Sequence, residues 1–255
     1  MLQHTVSEEI SCTGVGLHTG QPVQLTIKPA REGTGIVFIR EGRGHPVEIP
    51  ARPEYVTSTR LATTLGFGEA TVGTVEHLLA ALYALEIDNA CISIDGPEVP
   101  VMDGSSASFV FLLRSAGRRQ QRGARSKIRI KQEISVTDGS RTISVKPGAG
   151  LLVDYSIDYG HSVIGTQKID GFVVTPESFE MEICRARTFG FLHEVEALWK
   201  LGLAKGGNLE NTVVLDKERV LNCDGLRWTD EFVRHKVLDL LGDLALLGAP
   251  IEGHV

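Results

Sequence analysis

The stretch TDEFVRHKVLDLLGDLALLG, Thr229–Gly248, decides how the rest of the chain must fold. Phe232, Val233, Val237, Leu238, Leu240, Leu241, Leu244, Leu246 and Leu247 make it apolar round much of its circumference. At about 3.6 residues per turn, that predicts a largely buried helix. Thr229 is the expected N-cap, and Asp230 and Glu231 put negative charge in the first turn, where the helix dipole favours it. Gly248 and Pro250 mark the end. His235, Asp239 and Asp243 recur at i, i+4 and i+8, so they share one face, with Lys236 about a third of a turn away. An ionised carboxylate in such surroundings needs a partner. A divalent cation bound by the His235 imidazole and the Asp239 carboxylate is one reading. A buried polar network or a partly solvated face is the other, and the helix alone leaves the two even.

The chain has 255 residues, enough for one large domain or two of ordinary size. With 42% hydrophobic and 23% charged residues it has the makings of a soluble globular protein with a full core. A net charge of −6 argues against nucleic acid as the main partner. Cys12, Cys91, Cys184 and Cys223 lie far apart with no CxxC pair, which fits neither a zinc ribbon nor a disulfide framework and suits a reducing cytosol. The opening MLQHTVSEEI lacks the basic and apolar regions of a secretory signal. The longest apolar run carries Asp239 and Asp243, which disqualifies it as a membrane span. A cytoplasmic location is expected.

Taken in order, the chain reads as two α+β units of similar plan. In the first, residues 3–10 lead into the glycine-rich loop CTGVGLHTG, Cys12–Gly20. Val23, Leu25 and Ile27 then alternate with polar residues as in a half-buried strand. Gly35–Arg40 is a further strand, and Thr57–Leu65 is β-prone and rich in hydroxyls. TVEHLLAALYALEID, from Thr74 onward, has Val75, Leu78, Leu79, Leu82 and Leu85 at helical spacing, with Thr74 as the expected cap. A strand at Cys91–Ile94 and a helix from Ser105 or Ser106 complete this unit, as helices packed on one sheet face.

Arg118–Lys127, polar, basic and aperiodic, is the expected linker, dividing the chain into 1–121 and 122–255. The second unit opens with a hairpin at Ile134–Val145, turning at Asp138-Gly139. Strands follow at Leu151–Tyr159 and around Phe172–Val174, and Thr175-Pro176 opens a short helix. An amphipathic helix near Phe191–Leu201, a glycine turn at Gly206-Gly207 and a strand at Asn211–Asp216 lead to the long helix.

Glu76-His77, at the start of a first-unit helix, supplies the second half of a site. A carboxylate beside a histidine is a common metallohydrolase arrangement: the imidazole ligates, and the neighbouring carboxylate takes a proton from the attacking water. With His235 and Asp239 it completes a set of three ligands, two histidines and one aspartate, that leaves a coordination position open. Alone, a Glu-His pair in a helix N-terminus is more often simply exposed.

SEEISCTGVGLHTG, TVEHLLAAL, the IDN at Ile87–Asn89, EVPVMDGSSASF, RARTFGF and FVRHKVLDLLGDL follow one another from residue 7 to residue 247. Each is weak alone, but the ordered set closely resembles the UDP-3-O-acyl-N-acetylglucosamine deacetylases, zinc amidases of lipid A synthesis. The resemblance implies an α+β fold of two similar domains, with helices sandwiched between two sheets and the metal at their junction. It implies that His77, His235 and Asp239 bind Zn²⁺, although Fe²⁺ suits the same donors, and that Glu76 is the general base. Lys236 matches a lysine that contacts substrate and helps stabilise the oxyanion, and Thr188 a threonine that hydrogen-bonds the polarised amide. Leu61 and Phe189 fall where the family lines its cleft. Phe191–Val214 matches a β-α-β insert that forms an apolar passage for the acyl chain, with Phe191, Leu192, Leu203 and Val214 among the lining and Trp199, Leu201 and Val213 also available. For any one of these, ordinary core is the simpler reading. His18, in the GVGLHTG loop, is a further substrate-binding candidate, with a structural loop role as the alternative. His4, His45, His161 and His193 are expected to be surface or structural.

The family also has a catalytic histidine in a Gly-His pair soon after the long helix. It protonates the leaving amine and is held by the residue that Asp243 matches. That position lies past Val255, and His254, though it follows Gly253, comes too early to match it. The resemblance therefore implies hydrolysis of the N-acetyl group of UDP-3-O-(3-hydroxyacyl)-N-acetylglucosamine. The alternative is a C-terminally truncated, catalytically impaired member that binds metal and nucleotide sugar. The expected partner is that lipid-bearing substrate, met by a monomer in transient contact with a membrane surface in the cytoplasm of a Gram-negative bacterium.

Overall fold

The structure, a computed structural model, describes residues 1–41 and 45–255. The alternation at Val23, Leu25 and Ile27 produces the strand Pro22–Pro29, which buries all three. It lies inside a five-stranded sheet in the order Ile10–Val15, Pro22–Pro29, Ala90–Ile94, Ile36–Arg40, Val47–Pro50. Only the Ile36–Arg40/Ala90–Ile94 pairing is parallel. A three-stranded meander, Val56–Ser58, Thr64–Phe67 and Ala70–Val72, follows.

Helices α1 (Glu76–Ala84) and α2 (Ala107–Ala116) cover this sheet, with Leu78, Leu79, Leu82, Phe109 and Leu113 packed among Leu25, Phe38 and Ile92. The same core continues through Val237, Leu238 and Leu241 of the long helix to Leu151, Val153 and Phe172 of a second, four-stranded sheet. That sheet runs Ile128–Arg129, Ile251–His254, Leu151–Asp158, Thr166–Val173. Helices thus lie between two sheets in an α+β fold, as expected. Truncating a side chain as fully enclosed as Leu238 would cost about 2–5 kcal/mol.

The short helix α3 (Pro176–Ser178) opens on a capping box at Thr175 and runs on as one wide turn, Phe179–Ile183. Strands Phe189–Phe191 and Val213–Leu215 pair in parallel, with α4 (Leu192–Lys200) in the crossover that such a pairing requires. The long helix, α5, spans Glu231–Ala245. Among the described residues, no helix is long and apolar enough to cross a membrane.

Three local readings change. Thr74 does not cap α1: Val75 is the N-cap residue, and the Thr74 hydroxyl donates to Glu98 Oε1 at 2.8 Å. Thr229 does not cap α5 either. Asp230 takes that place, its carboxylate committed to Arg234 Nε at 2.7 Å. The expected linker contains a strand, Arg118–Ala124, which pairs antiparallel with Leu2–Val6. Its arginines face solvent while its backbone carries the pairing, so no apolar period marks it.

Candidate metal and catalytic site

Helices α1 and α5 cross against each other, and a glycine sets how closely. A Cβ on Gly242 would lie 2.1 Å from the Glu76 carbonyl oxygen, so only glycine permits this approach. The crossing brings Glu76 and His77 on α1 over His235 and Asp239 on α5. Asp239 Oδ1 lies 3.5 Å from His77 Nε2 and 3.5 Å from His235 Nε2, and the two imidazoles meet edge to face.

The donors fit a cation. All three ligand atoms lie within 4.8 Å of one another, and Asp239 Oδ1 is buried with no hydrogen-bond partner. Donors around a tetrahedral ion at about 2.0–2.1 Å stand roughly 3.3–3.5 Å apart, which the two observed 3.5 Å spacings match. The far nitrogen of one ligand is also held: His235 Nδ1 lies 3.1 Å from the Ala186 carbonyl. With the proton on Nδ1, the Nε2 lone pair points at Asp239, the usual arrangement for a ligating histidine.

The charges follow from burial and neighbours. Burial pushes His235 down to about 4 against the pull of Asp239. Burial would raise Asp239, but His235 and Lys236 hold it far below the usual carboxylate range. Asp239 in turn holds the Lys236 ammonium above the usual lysine range despite its burial, through a 2.6 Å contact to Oδ2. His77 is lowered by burial, yet Asp239 more than compensates and leaves it raised. A cation there competes with that proton. Burial pushes Glu76 up to about 7, with His77 opposing and Asp239 adding to the rise.

Glu76, Lys236, Asp239, Asp243, Tyr155 and Leu61 line a cleft of about 300 Å³. Asp243, pushed up by burial, accepts from the Thr63 hydroxyl at 2.7 Å, while the Thr63 N–H donates to Glu76 Oε2 at 3.1 Å. Leu61 stands at the cleft with φ +63° and its side chain exposed. Phe189 packs against His235, Phe232 and Tyr159, with Lys236 Nζ 5.8 Å over its ring. Thr188 is held on both sides, its N–H to the Gly104 carbonyl and its carbonyl to the Val213 N–H. Both nitrogens of the His18 ring are buried without a hydrogen-bond partner.

Farther out, the Phe191 ring packs at a tilt against those of Tyr159, His161 and His193. Leu192, Trp199 and Leu201 are exposed, Leu203 and Val214 half-buried, and Val213 belongs to a small core with Phe232 and Val233. His254 Nε2 pairs with Asp154 Oδ2 at 2.8 Å in the second sheet. Thr63 and Tyr155 are the site groups that no motif announced, while the Ala186 carbonyl lies inside RARTFGF but has a role that the motif does not spell out. A backbone carbonyl has no residue type to read, Tyr155 reaches the cleft from the strand Leu151–Asp158, and Thr63 from the segment just before the strand Thr64–Phe67.

An α+β fold with a buried cluster of two histidines and an aspartate, beside a carboxylate of raised pKa, defines a candidate metallohydrolase. Residues 3–255 match the family described as LpxC, UDP-3-O-acyl N-acetylglycosamine deacetylase, and the chain belongs to that family. It is 51% identical over 254 residues to the UDP-3-O-acyl-N-acetylglucosamine deacetylase of Oleidesulfovibrio alaskensis, covering 100% of this chain and 83% of that protein. The protein of the same name from Nitratidesulfovibrio vulgaris is 52% identical over 254 residues, with 100% and 82% covered. That from Myxococcus xanthus is 50% identical over 253 residues, with 99% and 80% covered.

Proposed function

We propose that this chain hydrolyses the N-acetyl group of UDP-3-O-acyl-N-acetylglucosamine, giving the free 2-amine and acetate, in lipid A biosynthesis in the bacterial cytoplasm. His77, His235 and Asp239 would hold a divalent cation, Zn²⁺ by preference. The observation that carries this reading is the unpartnered Asp239 Oδ1 facing two imidazole Nε2 atoms, in a chain half identical to proteins of that name.

A cation held by these donors supplies Lewis acidity, drawing electrons from an amide carbonyl and making a water molecule more acidic. The rest falls to the chain's own residues. Glu76 Oε2 accepts the Thr63 N–H, which leaves Oε1 to take the proton of the attacking water. A group near 7 suits that task at neutral pH. The Lys236 ammonium, fixed by Asp239 Oδ2, offers positive charge where the carbonyl oxygen becomes an oxyanion. Thr188, with its backbone clamped, would offer its hydroxyl to the same oxygen. The leaving nitrogen needs one proton, and the one on Glu76 Oε1 balances the step. Asp243, hydrogen-bonded to Thr63, would steady the cleft on that side. Leu61, Phe189 and His18 would contact the sugar and nucleotide, and Phe191, Leu192, Leu203 and Val214 the acyl chain.

The test is acetate release from UDP-3-O-acyl-N-acetylglucosamine by the zinc-loaded protein, beside a Glu76→Ala variant. Turnover that the variant loses supports the reading. Tight zinc binding without turnover favours a binding role instead, and failure to bind zinc rejects the ligand set.

A further inference from the structure

Arg187 lies inside the RARTFGF motif, yet none of the chemistry above uses it. Its side chain is 8% exposed and faces Glu231, which is 1% exposed. The guanidinium grips that carboxylate as a fork, Nε to Oε1 at 2.9 Å and Nη2 to Oε2 at 3.1 Å. The Arg187 backbone N–H adds a bond to Oε1 at 3.0 Å and the Arg227 N–H one to Oε2 at 2.6 Å. Arg187 Nη2 also reaches the Gly225 carbonyl at 2.8 Å.

Removing two charges from water is expensive, and a buried pair often stabilises no more than well-packed apolar groups would. What this pair does is join two backbone segments at fixed geometry. Glu231 is the first residue of α5, one turn before His235. Arg187 stands between Ala186, whose carbonyl meets His235 Nδ1 at 3.1 Å, and Thr188. The fork holds the 186–188 segment against the first turn of α5, where the imidazole needs its acceptor.

We propose that Arg187 and Glu231 are a positioning pair for the metal centre, fixing the Ala186 carbonyl over His235 Nδ1 so that Nε2 faces Asp239. The proposal rests on reading His77, His235 and Asp239 as a metal site. Neither residue of the pair touches substrate or cation; both act through His235.

Arg187→Lys keeps the charge but loses the fork, and Glu231→Gln keeps the shape but loses the charge. Each would be compared with wild type for zinc affinity by chelator competition, for the visible absorption of bound Co²⁺, and for thermal unfolding of the metal-free protein. Loss of an outer-shell partner typically weakens metal binding about 10–100-fold. That loss is expected in both variants, with shifted Co²⁺ bands and a lower kcat at little-changed KM. Folded variants that bind Zn²⁺ and Co²⁺ as wild type does, whatever their melting temperature, overturn the proposal. Wild type that binds neither ion rejects the metal-site reading instead, a different result. If neither variant folds, the His235 tautomer in the zinc-loaded wild type decides: long-range ¹H–¹⁵N spectra must show the proton on Nδ1, and a proton on Nε2 overturns the proposal.

Discussion

Gly242 on α5 sits against the Glu76 carbonyl of α1 so closely that a methyl group would stand 2.1 Å from the oxygen. One missing side chain therefore sets the spacing of the two helices that carry all three candidate ligands. Gly242→Ala should overpack the crossing and cost about 1–3 kcal/mol. Equilibrium unfolding in urea would register it as a lower midpoint. Zinc affinity should fall in the same variant, since His77 is carried away from His235 and Asp239.

Glu98 ties three segments together from a buried position. Its carboxylate accepts the backbone N–H groups of His18 and Thr19 and the hydroxyls of Thr19 and Thr74. Thr74 meanwhile adopts φ +54°, a conformation a β-branched residue takes only under constraint. Glu98→Gln removes one acceptor oxygen and turns an amide NH2 towards donors. A loss of about 1–3 kcal/mol is expected, read as a drop in the urea midpoint. Adding Thr74→Gly should recover part of it, because glycine adopts that φ without strain.

The apolar circumference of α5 and the row of His235, Asp239 and Asp243 were legible because helical periodicity converts spacing into a shared face. Glu76-His77 gained meaning only beside that row, since a lone Glu-His pair is ordinary. The Arg118–Ala124 strand was illegible: its order comes from pairing with Leu2–Val6, more than a hundred residues away, and not from its own composition. Thr74 looked like a helix cap because a local hydroxyl is the commonest partner for helix N–H groups, whereas a buried carboxylate 24 positions on claims it. Arg187 sits in the RARTFGF motif, but its fork with Glu231 spans 44 positions and has no local signature.

Acid should weaken one arginine network in a defined direction. Glu86 is raised by burial, but Arg118 and Arg125 outweigh that and hold it below its ordinary 4.5. A folded carboxylate held low binds protons less readily than the unfolded one. Its contribution is therefore present above 4.5 and lost as pH falls through the folded value. Glu86→Gln should be less stable than wild type at pH 7, and the two urea midpoints should converge as the pH drops below 4.5. A gap that stays constant down the acid range would reject the linkage.

The four cysteines are all unpaired but should react very differently. Burial pushes the Cys184 thiol up to about 11, and its sulfur donates to the Glu180 carbonyl. Cys223 is exposed. Because the thiolate is the reactive form, a maleimide at neutral pH should label Cys223 first, and Cys184 only once the chain is unfolded. Peptide mapping after brief exposure, with and without denaturant, would show the order.

The candidate ligands come from both ends of the fold, His77 from a helix before the first strand of the second sheet and His235 with Asp239 from the last helix. An ion gripped by them would behave towards folding as a cross-link, closing the long loop between residues 77 and 235 that otherwise only packing holds shut. Its retention would then depend on both halves being docked, and a single cut between them that let the halves part would release the ion even with every ligand intact.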